Sequence, residues 1–85
     1  MASIYSQPYQ EMIDLLKKVR EKQNLTQRAL AKRLNVGQPY ISKIENYELK
    51  LDIIDYFIYA KELNIDLELI IQILERNDLV CKVPK

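Results

Sequence analysis

Side chains that form directional hydrogen bonds gather in the six residues from Gln38 to Lys43. Ile41 and Ile44 are apolar and three positions apart, which is typical of the buried side of a helix. The positions between them then point outward: Gln38, Pro39, Tyr40, Ser42 and Lys43. A rigid helix with amide, hydroxyl and ammonium groups on one face can bond the edges of base pairs in the major groove of DNA.

Each outward side chain would make a different contact with DNA. The amide of Gln38 can bond adenine N6 and N7 together, which discriminates between bases by roughly 1–3 kcal/mol. Lys43 reaches guanine or a phosphate, and Tyr40 reaches a thymine methyl group or a phosphate. Ser42 is short enough to matter only if the helix lies close, and Pro39 contributes shape alone. The alternative for each is an ordinary exposed helix position.

A second short helix is expected to support this one. Thr26 is a hydroxyl residue that can cap a helix over Gln27–Leu34. Asn35 and Gly37 tolerate the left-handed backbone of a sharp turn. The helix that carries the outward polar side chains, here called the recognition helix, then occupies residues 38–46. Gly37 lacks the side-chain oxygen that would tie down its first turn.

Three further helices complete the predicted core. Apolar residues at spacings of three and four after Pro8 predict an amphipathic helix over 8–23. Asp52 is placed to cap a fourth helix that ends near Leu63, and Asp66 to cap a last helix that ends near Arg76.

Helical periodicity also predicts which apolar residues of the last two helices face inward. In the fourth helix the predicted core stripe is Ile53, Ile54, Phe57 and Ala60, with Tyr56 and Tyr59 to the side. In the last helix the predicted core stripe is Leu67, Ile70, Ile71 and Leu74. A second stripe on roughly the opposite side consists of Ile65, Leu69 and Ile73. A helix that is apolar on two faces must bury the second face too.

Composition limits the class of protein. The 85 residues suffice for one domain, and 48% hydrophobic with 29% charged residues is typical of a globular chain. The chain has no His, one Gly and one Cys (Cys81), so it cannot assemble a metal cluster or a phosphate-binding loop. We therefore expect no enzyme, cofactor or metal. Without a bilayer-length apolar run or a signal region, a cytoplasmic protein is expected.

Charge is divided unevenly along the chain. Residues 1–50 carry nine Lys and Arg against five Asp and Glu, whereas residues 51–85 carry four against seven. This asymmetry favours a basic face on the first half of the protein and an acidic opposite end.

Residues 26–46, TQRALAKRLNVGQPYISKIEN, resemble the helix-turn-helix of phage-repressor and Cro-like (XRE-type) transcriptional regulators. The resemblance rests on Leu-Thr-Gln before the first helix, Ala-x-x-Leu within it and Gln-x-x-Ile-Ser-Lys-Ile-Glu after it, and it extends over residues 12–70. It implies an all-α, compact five-helix repressor-like DNA-binding domain over residues 8–76, with the helix-turn-helix at helices 2 and 3. Residues 1–7 would be an N-terminal arm and residues 77–85 a C-terminal tail.

The resemblance also implies roles for particular residues. Arg20 at the end of helix 1 is expected to pair with Glu45, which keeps that carboxylate away from phosphates and fixes the recognition helix. Tyr47 stands where the family usually has Gly, so Asn46 is expected to adopt the left-handed helix stop. Gln27, at the start of helix 2, is the first candidate for a phosphate contact, followed by Arg28, Asn46 and Lys50.

We expect a homodimeric regulator, a repressor, that binds a palindromic operator in the cytoplasmic nucleoid. One recognition helix reads few base pairs, whereas two copies read half-sites about 34 Å apart. The second stripe of the last helix (Ile65, Leu69, Ile73) would form the dimer interface, unless the tail covers it. Two alternatives share the fold: an antitoxin whose apolar surface binds a toxin, and the controller protein of a restriction–modification system.

Overall fold

The computed structural model of the protein describes residues 6–77 and contains five helices and no strand in that range. The helices are α1 (Gln7–Lys22), α2 (Gln27–Leu34), α3 (Gln38–Glu45), α4 (Ile53–Glu62) and α5 (Leu67–Arg76). The predicted all-α, five-helix architecture is confirmed. Most of the predicted arm and tail lies outside the described residues. No helix between residues 6 and 77 has the length and apolarity that crossing a bilayer requires.

Side-chain oxygens fix where the helices begin. Thr26 accepts from the Ala29 amide at 3.0 Å, and Asp52 accepts from the Asp55 amide at 2.8 Å. Such bonds satisfy amides that have no partner within the helix. Ser6 caps α1 in the same way, so this helix begins at Gln7 rather than at Pro8.

Left-handed residues fix where the first four helices end. Asn24, Asn35 and Asn64 have φ of 56°, 58° and 57°, and each follows the last turn of α1, α2 or α4. Asparagine tolerates this conformation better than most residues. The three asparagines therefore give the chain its sharp changes of direction without glycine.

The stop after α3 differs from the prediction. Tyr47, and not Asn46, has the left-handed backbone, with φ of 61° against −94° for Asn46. This conformation costs a non-glycine residue about 1–2 kcal/mol. The Tyr47 hydroxyl donates to the Asp14 carboxylate of α1, and the ring packs against the core. That bond favours the protonated phenol and raises the pKa of Tyr47 to about 12.

The core lies where α1, α2, α3 and α4 converge. Its largest fully buried side chains are Ile13, Leu16, Leu30, Ile41, Ile44, Tyr59 and Leu63. Because Ile41 and Ile44 are both 0% exposed, α3 is held by its inner edge and its outer face is left in solvent.

The predicted core stripe of α4 is wrong except at Ala60. Ile53, Ile54 and Phe57 are 69%, 67% and 45% exposed, whereas Tyr56 and Tyr59 are buried. The tyrosines can face inward because their hydroxyls find polar partners there. Tyr56 donates to the Met12 carbonyl at 3.0 Å, and Tyr59 to the Glu45 carboxylate at 3.3 Å.

The predicted stripes of α5 also need correction. Leu67 and Ile71 are 55% and 38% exposed instead of buried, whereas Ile73 is only 4% exposed instead of lying on an outer stripe. Ile70 is buried and Leu74 half-buried, on the expected side. Of the other members of the second stripe, Ile65 packs against the core and Leu69 stays 40% exposed.

Polar contacts also join the end of α5 to α1. Arg76 and Asn77 donate to the Glu11 carboxylate of α1 at 2.7 and 2.8 Å. Their bonds lower the pKa of Glu11, that of Asn77 most. These bonds connect the end of α5 to α1, and Ile73 lines a hollow together with Glu11 and Leu15 of α1.

Replacing Ile73 by alanine should lower the free energy of unfolding by about 2–4 kcal/mol, because it removes buried methyl groups and leaves a cavity. Leu69→Ala is the matched control on the same helix and should change the free energy of unfolding by about 0.5 kcal/mol or less. Urea denaturation of both variants measures the difference. Equal destabilisation by the two variants would contradict the finding that Ile73 is buried and Leu69 is exposed.

Candidate nucleic-acid interface

The outer face of α3 carries the predicted recognition residues on one side of the molecule. Pro39 and Lys43 are exposed, while Gln38, Tyr40 and Ser42 are half-buried. Pro39 occupies the first turn of the helix, where its missing N–H costs no hydrogen bond. Amide, hydroxyl and ammonium groups are thus at least partly accessible on this side of α3.

Tyr40 occupies the edge of this surface nearest to α4. Its ring packs against the core and lines a hollow with Leu34, Val36 and Ile58. Burial raises the pKa of the Tyr40 phenol, so the hydroxyl stays protonated as a donor at neutral pH. Because the ring packs against the core, Tyr40 can contact a ligand only at the edge of this surface.

The structure brings Arg20 and Glu45, predicted to pair, into direct contact. Arg20 Nε lies 2.7 Å from Glu45 Oε2, and Arg20 Nη2 lies 3.0 Å from Glu45 Oε1. Their side chains are 9% and 1% exposed. Charged hydrogen bonds of this kind are roughly twice as strong as neutral ones, and the bidentate geometry adds specificity. The hydrogen bond to Glu45, more than any other influence, raises the pKa of Arg20.

Further polar groups complete the ion pair. Arg20 Nη1 donates to the Leu25 carbonyl at 2.7 Å, which anchors the α1–α2 loop. Gln27 Nε2 and the Tyr59 hydroxyl donate to Glu45 at 2.9 and 3.3 Å. Burial, followed by the charge of Glu45, raises the pKa of Tyr59, so this hydroxyl remains a donor. Within residues 6–77 no buried side-chain nitrogen or oxygen lacks a hydrogen-bond partner.

A glutamine pair connects this buried network to the surface. Gln38 Nε2 donates to Gln27 Oε1 at 2.7 Å, and Gln27 in turn donates to Glu45. The side chain of Gln27 therefore lies against α3, between the ion pair and the recognition surface. This positioning role was not predicted from the sequence. The only hint in the sequence is that α2 and α3 each begin with a glutamine. The packing of the two helices is what brings the two amides together.

The bond to Gln27 fixes the direction of the Gln38 amide and leaves part of it available. One N–H is used, while the second N–H and the Oε1 lone pairs are not used by that bond. A donor and an acceptor side by side match N7 and N6 of adenine. The geometry thus allows the predicted bidentate contact.

The remaining candidates lie on three neighbouring segments of the chain. Arg28, Asn46 and Lys50 are exposed, on α2, at the end of α3 and in the following loop. Asn46 Nδ2 lies 3.4 Å from Ser42 Oγ, one helical turn earlier. The residues that the structure describes contain no group of three His, Cys, Asp or Glu side chains able to hold a metal.

Comparison with protein families identifies the class. The family model described as Helix-turn-helix, the Cro/C1-type (XRE) domain, matches residues 16–70, which include α2, α3 and α4 entirely. The chain belongs to this family and is a DNA-binding transcriptional regulator of the XRE type. A comparison with curated proteins finds no match.

Breaking the ion pair from one side should be strongly destabilising. Glu45→Gln keeps the shape of the side chain but leaves the buried Arg20 guanidinium without its counter-ion, so the free energy of unfolding should fall by about 3–5 kcal/mol. Glu21→Gln is the control, because Glu21 is exposed and lies 3.9 Å from the same guanidinium. Its effect should stay below about 1 kcal/mol. Chemical denaturation compares the two, and similar effects would show that burial of the pair is unimportant.

Proposed function

We propose that this regulator is a repressor that binds a palindromic DNA operator as a homodimer, with α3 of each subunit in the major groove. The observation that carries the proposal is the Gln38 amide, held by Gln27 on the open face of α3. A side chain fixed before binding loses less conformational entropy when it contacts a base.

Base reading is assigned to the outer face of α3. Gln38 bonds adenine, and Lys43 bonds guanine O6 and N7 or a phosphate. Ser42 and Tyr40 contact the groove from the margins, and Pro39 fits by shape. These five side chains cover few base pairs, so a second subunit is needed for a specific site.

Phosphate contacts would position the domain without reading sequence. The N-terminus of α2 presents backbone N–H groups beside Gln27, and such helix starts attract anions. Arg28, Asn46 and Lys50 would add donors from α2, from the end of α3 and from the loop that follows it. The Glu45 carboxylate does not repel the DNA phosphates, because Arg20 neutralises its charge inside the protein.

Repression needs only occupancy of the operator, because a bound dimer excludes polymerase from overlapping DNA. Such a role places the protein with the chromosome, in the cytoplasm and nucleoid. Selecting bound duplexes from a random pool tests the proposal, since it reports the site, its symmetry and the half-site spacing. The expected result is an inverted repeat with centres about 34 Å apart.

Gln38→Ala should relax specificity at one base pair of each half-site by roughly 1–3 kcal/mol. Gln27→Ala should weaken the same preference less, because Gln38 remains but its amide is free to rotate. Competition binding with operators altered at that base pair measures both. If Gln27→Ala left the preference unchanged, the bond between the two glutamines would have no part in recognition.

Salt should weaken binding steeply. Contact with about six phosphates per dimer gives a slope of log K against log salt near −5. Arg28→Ala, which removes one predicted contact from each subunit, should reduce the slope by about 2. Lys18→Ala removes an exposed charge from α1 and is the control. A slope near zero, or equal changes in both variants, would contradict the assignment.

A further inference from the structure

The helices α1, α2, α3 and α4 end in the same way. After each of them, a residue with a left-handed backbone is followed by a residue whose N–H donates to the carbonyl five positions earlier. At 2.8–3.1 Å, these bonds join Leu25 to Arg20, Val36 to Ala31, Glu48 to Lys43 and Ile65 to Ala60. This arrangement is the Schellman motif, which satisfies carbonyl groups that have no partner within the helix.

The end of α3 lacks two features that favour the motif at the other three ends. There, the left-handed residue is an asparagine and the next residue is apolar: Leu25, Val36 or Ile65. At the end of α3 the left-handed residue is Tyr47, and the next residue is the exposed Glu48. Asparagine adopts this conformation more readily than tyrosine, and an apolar residue after it commonly packs against the helix. The local sequence therefore does not favour this stop by itself.

A hydrogen bond from α1 compensates for the unfavourable local sequence. The Tyr47 hydroxyl donates to the Asp14 carboxylate, and the Tyr47 ring is half-buried against the core. A hydrogen bond to a charged group contributes a free energy similar to the cost of one left-handed residue that is not glycine. This bond is therefore large enough to decide whether Tyr47 keeps its conformation.

The conformation of Tyr47 in turn closes the last turn of α3. The Lys43 carbonyl accepts from the Glu48 amide at 2.8 Å and from the Leu49 amide at 3.3 Å. The Ile44 carbonyl accepts from the Tyr47 amide at 3.2 Å. If Tyr47 left the left-handed region, the chain would change direction after it and these bonds would be lost. Lys43, which is exposed on the outer face of α3, belongs to the turn that they close.

We propose that Tyr47 and Asp14 are positioning residues for DNA recognition, because their hydrogen bond holds the left-handed stop of α3 and thereby places Lys43 against the DNA. This inference rests on the DNA contact of Lys43 in the proposed function and adds the groups that control it. Tyr47 acts through the backbone, since its hydroxyl is bonded to α1 and its ring packs against the core. Gln27 holds Gln38 at the start of α3, and the bond between Tyr47 and Asp14 holds the end.

Amide hydrogen exchange, followed by NMR without DNA, tests the structural half of the proposal. Tyr47→Phe removes the hydroxyl, and Asp14→Ala removes its acceptor. Each should make the Glu48 amide exchange about tenfold faster, because the stop after α3 opens more often. Tyr56→Phe is the matched control, since Tyr56 also donates its hydroxyl to α1, at the Met12 carbonyl, but lies on α4. It should leave the Glu48 exchange rate within about threefold of the wild-type value.

Binding to the operator selected from the random pool tests the functional half. Lys43→Ala should weaken binding about tenfold, and Tyr47→Phe about fivefold. When Tyr47→Phe and Lys43→Ala are combined, the two effects should not multiply, because both remove the same contact. When Tyr47→Phe is combined with Gln38→Ala, at the other end of α3, they should multiply. A general loss of stability would not distinguish between the two combinations.

Two conservative variants separate the hydrogen bond from the charge and from the side chain. Asp14→Asn keeps an oxygen acceptor without the charge, so it should bind the operator within about threefold of the wild type. Tyr47→Gly can adopt the left-handed backbone without any bond, so it should restore the binding that Tyr47→Phe loses. Adding Asp14→Ala to Tyr47→Gly should then have no further effect.

Three results would overturn the proposal. The first is a Glu48 exchange rate that Tyr47→Phe does not change. The second is a Lys43→Ala variant that binds like the wild type, or whose effect multiplies with that of Tyr47→Phe. The third is weaker binding by Tyr47→Gly than by Tyr47→Phe, which would show that the ring itself is required.

The two halves can fail separately. If the wild type bound no duplex of any sequence, the proposed function would fail, and the exchange rates would still decide whether the bond between Tyr47 and Asp14 holds the end of α3. If the wild type bound its operator but Tyr47→Phe bound it equally well, the proposed function would stand and the positioning role would be wrong.

Discussion

The buried pair of Arg20 and Glu45 is the constraint on which the rest of the structure depends. It joins the end of α1 to the end of α3, and Gln27 and Tyr59 join α2 and α4 to the same carboxylate. Four helices thus share one charged group that water does not reach. An ion pair this deep contributes little net stability compared with apolar residues, but it is satisfied in few arrangements of its neighbours. Moving α3 away from this position would leave a buried charge unpaired, which is costly.

This orientation reaches the surface through amide groups. Gln27 bonds both Glu45 and Gln38, so the side chain proposed to read a base is connected to the core by two hydrogen bonds in series. The same network turns the Glu45 charge inward, away from the phosphates that the basic first half of the chain attracts. Core packing and recognition are therefore parts of one hydrogen-bonded system.

Hydrogen bonding also affects which side chains of α4 face the core. Tyrosines occupy the inner side of α4 because their hydroxyls complete polar networks, and isoleucines and Phe57 are left outside. A protein that buries phenols and exposes aliphatic groups has its strongest hydrophobic surface available for association.

The sequence alone determined the five helices, their ends to within a residue or so, the family, and the inner side of α3, because caps, turns and helical periodicity are local properties. It also indicated which charges would pair. Only the tertiary structure decided which apolar stripe of α4 and α5 faces inward, that Tyr47 takes the left-handed position, and that Gln27 holds Gln38. Each of these depends on partners distant in sequence: the Met12 carbonyl and Glu45 for the tyrosines, Asp14 for Tyr47, and the packing of α2 on α3 for the glutamines. Helical periodicity shows where the apolar residues of a helix lie. It cannot show which of two apolar sides faces the core when that depends on hydrogen-bond partners distant in sequence.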